Sequence, residues 1–218
     1  WWDKYIKYMA NIHKITNKLL NTNTYIFIDN HNCFLIDPGS DYETIKSFID
    51  SNNLNVLAIL ATHGHFDHIV SVSKLQKEFK SMFYLHIKDA KTLKLANFIM
   101  KIFGYKKKIE IPNVDVFIDG LTGSLTIQDY CINYLHTPGH TEGSVCFLIE
   151  SALFTGDTLL KNTIGRIDLP GANKEKLSTS LQMLSKLNGS LDVYPGHGEQ
   201  TTLERELSFN ERFIELIA

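Results

Sequence analysis

Thr62-His63-Gly64-His65-Phe66-Asp67-His68 follows directly on the apolar run Val56-Leu57-Ala58-Ile59-Leu60-Ala61. Four side chains able to bind a transition metal thus sit within six residues, at the end of an expected buried strand. Imidazole suits zinc and related ions, and carboxylate adds a harder, negatively charged oxygen. Side chains at i and i+2 of extended backbone face the same way, so His63 and His65 converge on one ion. Asp67 and His68 fall where the chain turns into a helix and face a second. Downstream, His140 lies in Thr137-Pro138-Gly139-His140-Thr141, Asp157 in Thr155-Gly156-Asp157 and His197 in Pro195-Gly196-His197-Gly198. Each follows a strand-like apolar segment (Cys131–Leu135, Leu153–Phe154 and Leu191–Tyr194), and Gly or Pro beside each marks a sharp turn that aims one side chain past the strand end.

Of nine histidines, His13, His31 and His86 have no ligand spacing and read as solvated polar residues. At 218 residues and 44% hydrophobic content, the chain can bury a full core in one domain. A formal net charge of −2 leaves no footprint for nucleic acid or an anionic membrane. Lys106-Lys107-Lys108, the one basic run, reads as a solvated loop. No apolar stretch approaches the ~18–20 residues that cross a bilayer. The chain opens on Trp1-Trp2 without a Met, so its start reads as trimmed, with a removed leader left open. Cys33, Cys131 and Cys146 each sit in an apolar run and read as buried, reduced thiols, which suits a cytoplasmic setting.

Two similar halves emerge along the chain. Tyr25–Ile28 and Cys33–Ile36 are short strands joined by a polar turn. Ser40-Asp41-Tyr42-Glu43 has the pattern of a capping box and starts a helix with Tyr42, Ile45 and Ile49 on one face. Ile69, Val72, Leu75 and Phe79 recur at helical spacing, Met82–His86 is a strand, and Leu95 to Phe103 mark a helix ending near Gly104. In the second half, Val116–Ile118, Ser124–Ile127, Cys131–Leu135 and Val145–Ile149 read as strands. A helix carries Leu177, Leu181 and Leu184, the strand Leu191–Tyr194 follows, and one final helix runs from Leu203 to Ile217. Hairpins mixed with single helices suggest two packed sheets with helices outside, though periodicity alone leaves other α/β layouts open.

The His63-x-His65-x-Asp67-His68 motif, followed in order by His140, Asp157 and His197, resembles the metallo-β-lactamase superfamily. The likeness runs from about Asn23 to Phe213. It implies an αββα sandwich, four layers in one domain over residues 1–218, with metals at the edge where both sheets end. By that resemblance His63, His65 and His140 hold one metal, Asp67, His68 and His197 the other, and Asp157 bridges them. Two divalent ions are implied, zinc foremost, with iron or manganese as alternatives. Asp37, in the turn Asp37-Pro38-Gly39, is expected to orient the ligand loop from behind.

Gly156-Asp157-Thr158-Leu159-Leu160 and Gly165-Arg166-Ile167-Asp168-Leu169-Pro170-Gly171 are similar to the glyoxalase II branch, within it the single-domain YcbL-like hydrolases. That branch implies thioester hydrolysis of the hydroxyacylglutathione type by a metal-activated water, with Asp67 or Asp157 orienting it, on a small-molecule thioester. Two-domain members append a helical domain that helps hold glutathione, whereas here the residues after His197 suffice for one helix. Arg166 matches a basic substrate-binding position and Asp168 replaces an aromatic one. Substrate contact and a loop-stabilising ion pair are equally open for this pair. The alternatives are a mononuclear iron persulfide dioxygenase, which shares the Gly-Arg-x-Asp sequence, and a catalytically silent metal-binding or interaction module. The sequence sets neither the oligomeric state nor the acyl group.

Overall fold

The computed structural model describes residues 11–217. The reading of the Trp1-Trp2 start therefore falls outside the described residues. The first half folds as β1 (Asn11–Thr16), β2 (Asn23–Asp29), β3 (Asn32–Ile36), α1 (Tyr42–Ser51), β4 (Asn55–Leu60), α2 (Phe66–Ile69), α3 (Val72–Phe79), β5 (Met82–His86), α4 (Ala90–Ile102) and β6 (Val116–Ile118). These strands line up β1-β2-β3-β4-β5-β6. The hairpins β1–β2 and β2–β3 are antiparallel, and β3 to β6 run parallel.

The second half holds β7 (Thr122–Ile127), β8 (Tyr130–His136), β9 (Val145–Ile149), β10 (Ala152–Gly156), the small ribbon β11 (Leu159–Leu160) and β12 (Thr163–Ile164), α5 (Lys174–Leu184), β13 (Asp192–Pro195), β14 (Thr201–Thr202), α6 (Leu203–Phe209) and α7 (Glu211–Ile217). Its main sheet has the order β14-β13-β10-β9-β8-β7.

Three apolar layers stack these elements. Tyr25, Phe27, Phe34 and Leu60 meet Ile132, Phe147 and Phe154 between the sheets. On the outer face of the first sheet, Ile26, Leu35 and Phe83 pack under Ile45, Leu75 and Leu93 of the helices. On the outer face of the second, Cys146, Leu153 and Val193 pack under Leu177, Leu181 and Phe213. Where helices cover the outer face of a sheet, its strands read as runs of apolar residues rather than alternating ones, as in Cys33–Ile36, Val56–Leu60 and Val145–Ile149. This is the expected four-layer αββα sandwich. No helix of the described residues is long and apolar enough to cross a membrane.

Several expectations need correction. Ser40 is not a helix cap: α1 starts after Asp41, which makes no side-chain cap, and the Ser40 hydroxyl accepts from Leu19 N–H instead. The run from Ile69 to Phe79 is two helices, α2 and α3. The C-terminal helix is also two, broken at Asn210, whose buried amide donates to Leu160 O, Thr163 O and Glu206 Oε2. Cys131 is exposed, because β8 alternates and its odd side faces solvent. Cys33 and Cys146 are buried as expected, and burial pushes both thiols up to about 12. His86 is fully buried, its ring stacked on His136 with centroids 4.1 Å apart, so the solvated reading fails. His31 is exposed, and His13 stacks half-buried on Phe48.

Candidate metal centre

Parallel strands end together, and here that geometry builds the site. Asp37 follows β3, His63, His65, Asp67 and His68 follow β4, Asp157 follows β10 and His197 follows β13, while His140 lies in the β8–β9 connection. The carboxyl ends of β3 and β4 are neighbours in one sheet, as are those of β10 and β13 in the other. Loops at such strand ends converge on a common crevice. All seven expected ligands come together there. His63, His65 and His140 offer three nitrogens within 4.8 Å of one another, and Asp67, His68 and His197 form a second such group. Asp157 lies between them. Its Oδ2 is 3.5 Å from His140 Nε2 and 3.5 Å from His197 Nε2, and its Oδ1 is 3.6 Å from His68 Nε2.

Hydrogen bonds behind the rings fix their tautomers. His140 Nδ1 lies 3.0 Å from Arg166 O, and His197 Nδ1 lies 3.1 Å from Leu20 O. A carbonyl only accepts, so both Nδ1 atoms carry the proton. His68 Nδ1 donates to Asp37 Oδ2 at 3.0 Å. The Thr62 hydroxyl spends its one proton on Asp37 Oδ2, at 2.7 Å, and so accepts from His63 Nδ1 at 3.1 Å. Four imidazoles thus present an Nε2 lone pair to the crevice. His65 is the exception and turns its Nδ1 inward, 3.0 Å from His140 Nε2.

This donor set fits metal ions. His63 Nε2, His68 Nε2 and Asp157 Oδ1 are buried without a hydrogen-bond partner among the described residues, a costly state unless a cation satisfies them. Two bonds of ~2.0–2.1 Å in tetrahedral array hold ligand atoms ~3.3 Å apart, close to the 3.0–3.6 Å separations seen here. Asp37, His63 and His68 form a third metal-sized group. Both Asp37 oxygens accept from Thr62 or His68, which places Asp37 at His68 Nδ1, the ring atom opposite the inward-facing Nε2.

The electrostatics agree. Burial, followed by the neighbouring rings, holds His63 well below the usual imidazole pKa and takes His65 down to about 3. Burial opposes ionisation of Asp67 and Asp157, yet His68 and His197 outweigh it and keep both below the usual carboxylate range. At His68 burial is outweighed by Asp67, Asp37 and Asp157, which raise it to about 10. The same carboxylates would favour a cation at Nε2, where it would displace the proton.

Sequence reading missed the supports. Leu20 and Asn21, at φ 54° and 55°, form the tight β1–β2 turn that brings the Leu20 carbonyl to His197 and the Thr22 hydroxyl to Asp67 Oδ2, at 2.6 Å. Asp89 is fully buried and accepts from Gly64 N, Gly143 N and Thr141 Oγ1 at 2.7, 2.8 and 2.8 Å. It thereby ties the His63–His65 loop to the His140 loop. Burial raises its pKa, partly offset by those donors. An Asp between a strand and a helix carries no local signal of this role. Arg166 and Asp168 are both exposed and form a two-bond ion pair, at 2.9 and 2.7 Å.

Fold and ligand geometry together define a metallo-hydrolase class, and the comparisons give the family. The chain belongs to the metallo-beta-lactamase superfamily, whose profile matches residues 17–197. A probable metallo-hydrolase of Bacillus subtilis, YqgX, is 34% identical over 88% of this chain and 92% of its own length. The hydroxyacylglutathione hydrolase GloC of Haemophilus influenzae is 30% identical, over 85% of this chain and 89% of its own. Among solved structures, the B3 metallo-beta-lactamase BLEG-1 superposes with a TM-score of 0.87 at 32% identity, covering 95% of this chain and 100% of that one. TTHA1623 in a di-iron-bound form gives 0.83 at 33% identity, covering 91% and 98%.

Proposed function

We propose that this protein is a binuclear metal-dependent hydrolase of acyl thioesters, of the glyoxalase II type. One observation carries the reading: the Asp157 carboxylate faces His140 of one ligand group and His68 and His197 of the other. The 30% likeness to a hydroxyacylglutathione hydrolase supports the choice of substrate class. His63, His65 and His140 would hold one ion, Asp67, His68 and His197 the second, and Asp157 both. Zinc is the first choice, with iron or manganese next.

Divalent ions bound there would supply Lewis acidity, lowering the pKa of water toward ~7 and polarising the scissile carbonyl. The chain's own residues do the rest. Asp37 and Thr62 keep the rings of His63 and His68 in one tautomer, and the Leu20 and Arg166 carbonyls do so for His197 and His140. Asp67 and Asp157 stay ionised in a buried site, ready to orient water and take up its proton. Thr22 holds Asp67 in place through one oxygen. Arg166 spends its charge on Asp168, so a carboxylate of glutathione would have to displace that partner. The grip on the tripeptide is therefore loose, and the acyl thioester is what the site selects. The free Cys33, Cys131 and Cys146 favour a reducing, cytoplasmic setting.

The test is a substrate panel beside elemental analysis of the purified protein. S-D-lactoylglutathione and a thioester lacking the glutamyl and glycyl carboxylates should both be hydrolysed, with close to two metal ions per chain. A marked preference for the glutathione ester would reveal a glutathione pocket; no turnover of either would remove the thioesterase reading. A β-lactam belongs in the panel because of the likeness to BLEG-1, and turnover of it alone would reassign the activity. A firm ceiling of one iron per chain, with oxygen uptake, would point to the dioxygenase alternative.

A further inference from the structure

Between Ile87 and Ile109 the chain carries Lys88, Lys91, Lys94, Lys101 and the run Lys106–Lys108, against one acid, Asp89. Asp89 is buried and all of these lysines are exposed. Among the described residues none of them has a carboxylate within 4.0 Å, since the lysine and arginine ion pairs all lie elsewhere. The overall balance of −2 conceals this local field.

The helix inside that segment is unusual on its outer side. α4 buries Leu93, Ala96 and Met100. On the opposite side, Leu95, Phe98 and Ile102 follow one another at helical spacing and are 40%, 61% and 64% exposed. Ile87 and Phe103, 45% and 44% exposed, flank the helix in the chain. A surface helix normally turns its polar side chains outward. Here the outermost stripe is apolar, and Lys91, Lys94 and Lys101 share the helix with it.

We propose that the outer face of α4 docks the protein on an anionic lipid surface, with Leu95, Phe98 and Ile102 entering the headgroup boundary and the lysines meeting the lipid phosphates. The occupant has to offer negative charge spread wider than one helix together with an apolar phase. The exposed side of a helix is convex, whereas small-molecule sites are concave. A second copy on the same face would set one lysine field against another. An anionic bilayer supplies both requirements at once, and basic residues beside an exposed aromatic and aliphatic stripe are the features of an interfacial helix. The inner side of α4 packs on the ligand loop: a Cβ on Gly64 would lie 3.1 Å from Leu93 N. The docked face is therefore the outside of the helix whose first turn supports His63 and His65.

Flotation of the full chain with vesicles tests this. The protein should rise with vesicles of equal parts phosphatidylglycerol and phosphatidylcholine, stay behind with pure phosphatidylcholine, and be released as NaCl approaches ~0.5 M. Charge reversal at Lys91→Glu, Lys94→Glu and Lys101→Glu together should weaken partitioning by about a hundredfold or more. The double variant Phe98→Asp and Ile102→Asp should abolish it, while circular dichroism and metal content match the parent. Failure to float with anionic vesicles, or flotation indifferent to both variants, would overturn the proposal. So would a concentration-dependent dimer in sedimentation that the double variant dissociates, which would make the face a self-association surface.

Discussion

Asp89→Ala isolates the residue that joins the two ligand loops. The change removes the acceptor of Gly64 N–H, Gly143 N–H and the Thr141 hydroxyl. Thr141 has a substitute, because the Ser144 hydroxyl lies 2.8 Å away. The two backbone donors have none. Each bond to a charged acceptor contributes about 1.5–3 kcal/mol, so roughly 3–6 kcal/mol is at stake. Removing a buried carboxylate also relieves its desolvation, which places the expected loss toward the low end, about 3–4 kcal/mol. Asp89→Asn keeps one acceptor oxygen and turns an NH₂ toward the other donor, so about half that loss is expected. Urea unfolding of the metal-free protein measures the stability, and chelator competition measures zinc affinity. Affinity should fall ~10–100-fold in Asp89→Ala, because His63, His65 and His140 lose their common anchor. An unfolding midpoint equal to wild type would refute the reasoning. A stability loss with unchanged zinc affinity would reduce Asp89 to a packing role.

Asp157→Asn preserves shape but removes the charge placed between the two ligand groups. Metal content should drop below two per chain and thioester turnover by orders of magnitude, so a variant with full metal and turnover would contradict the assignment. Gly156→Ala tests the crowding behind His63: at φ 49°, its Cβ would lie 2.2 Å from Thr62 Oγ1. A cost of about 1–3 kcal/mol is expected, read as a fall in Tm of several degrees, together with weaker metal binding. His86 is held at about 4 by burial and by His136, against an ordinary 6.5. The folded protein therefore refuses a proton that the unfolded chain accepts, and this contribution, intact above pH 6.5, is lost as pH falls toward 4. In metal-free protein His86→Gln should flatten that acid slope, measured by urea midpoints across the window; an unchanged slope would clear His86 of the role.

The sequence alone settled what local chemistry and period can settle. His63-Gly64-His65-Phe66-Asp67-His68, His140, Asp157 and His197 announced themselves through residue type, spacing and Gly- or Pro-marked turns. The apolar runs that became β3, β4, β5, β9 and β10 were legible because strands covered on both faces need near-continuous apolar stretches, whereas β8 showed as an alternating strand with one face toward solvent. Where one side chain's choice of partner decided the outcome, the string was silent. Ser40 reads as a cap but bonds Leu19, Asn210 sits within a helical pattern but ends α6 with its amide bonded to the β11–β12 ribbon and to Glu206, and His86 reads as polar surface but stacks in the interior. The supports of the site are of the same kind. Thr22, Leu20, Thr62 and Asp89 are ordinary residues whose roles exist only because β1–β2, β4 and the β5–α4 turn arrive at one edge. Residue type and order are encoded along the chain, whereas tautomer, charge state and the place of Asp157 between the two groups depend on distances between segments up to 177 residues apart, as between His197 and Leu20, and only packing sets those distances.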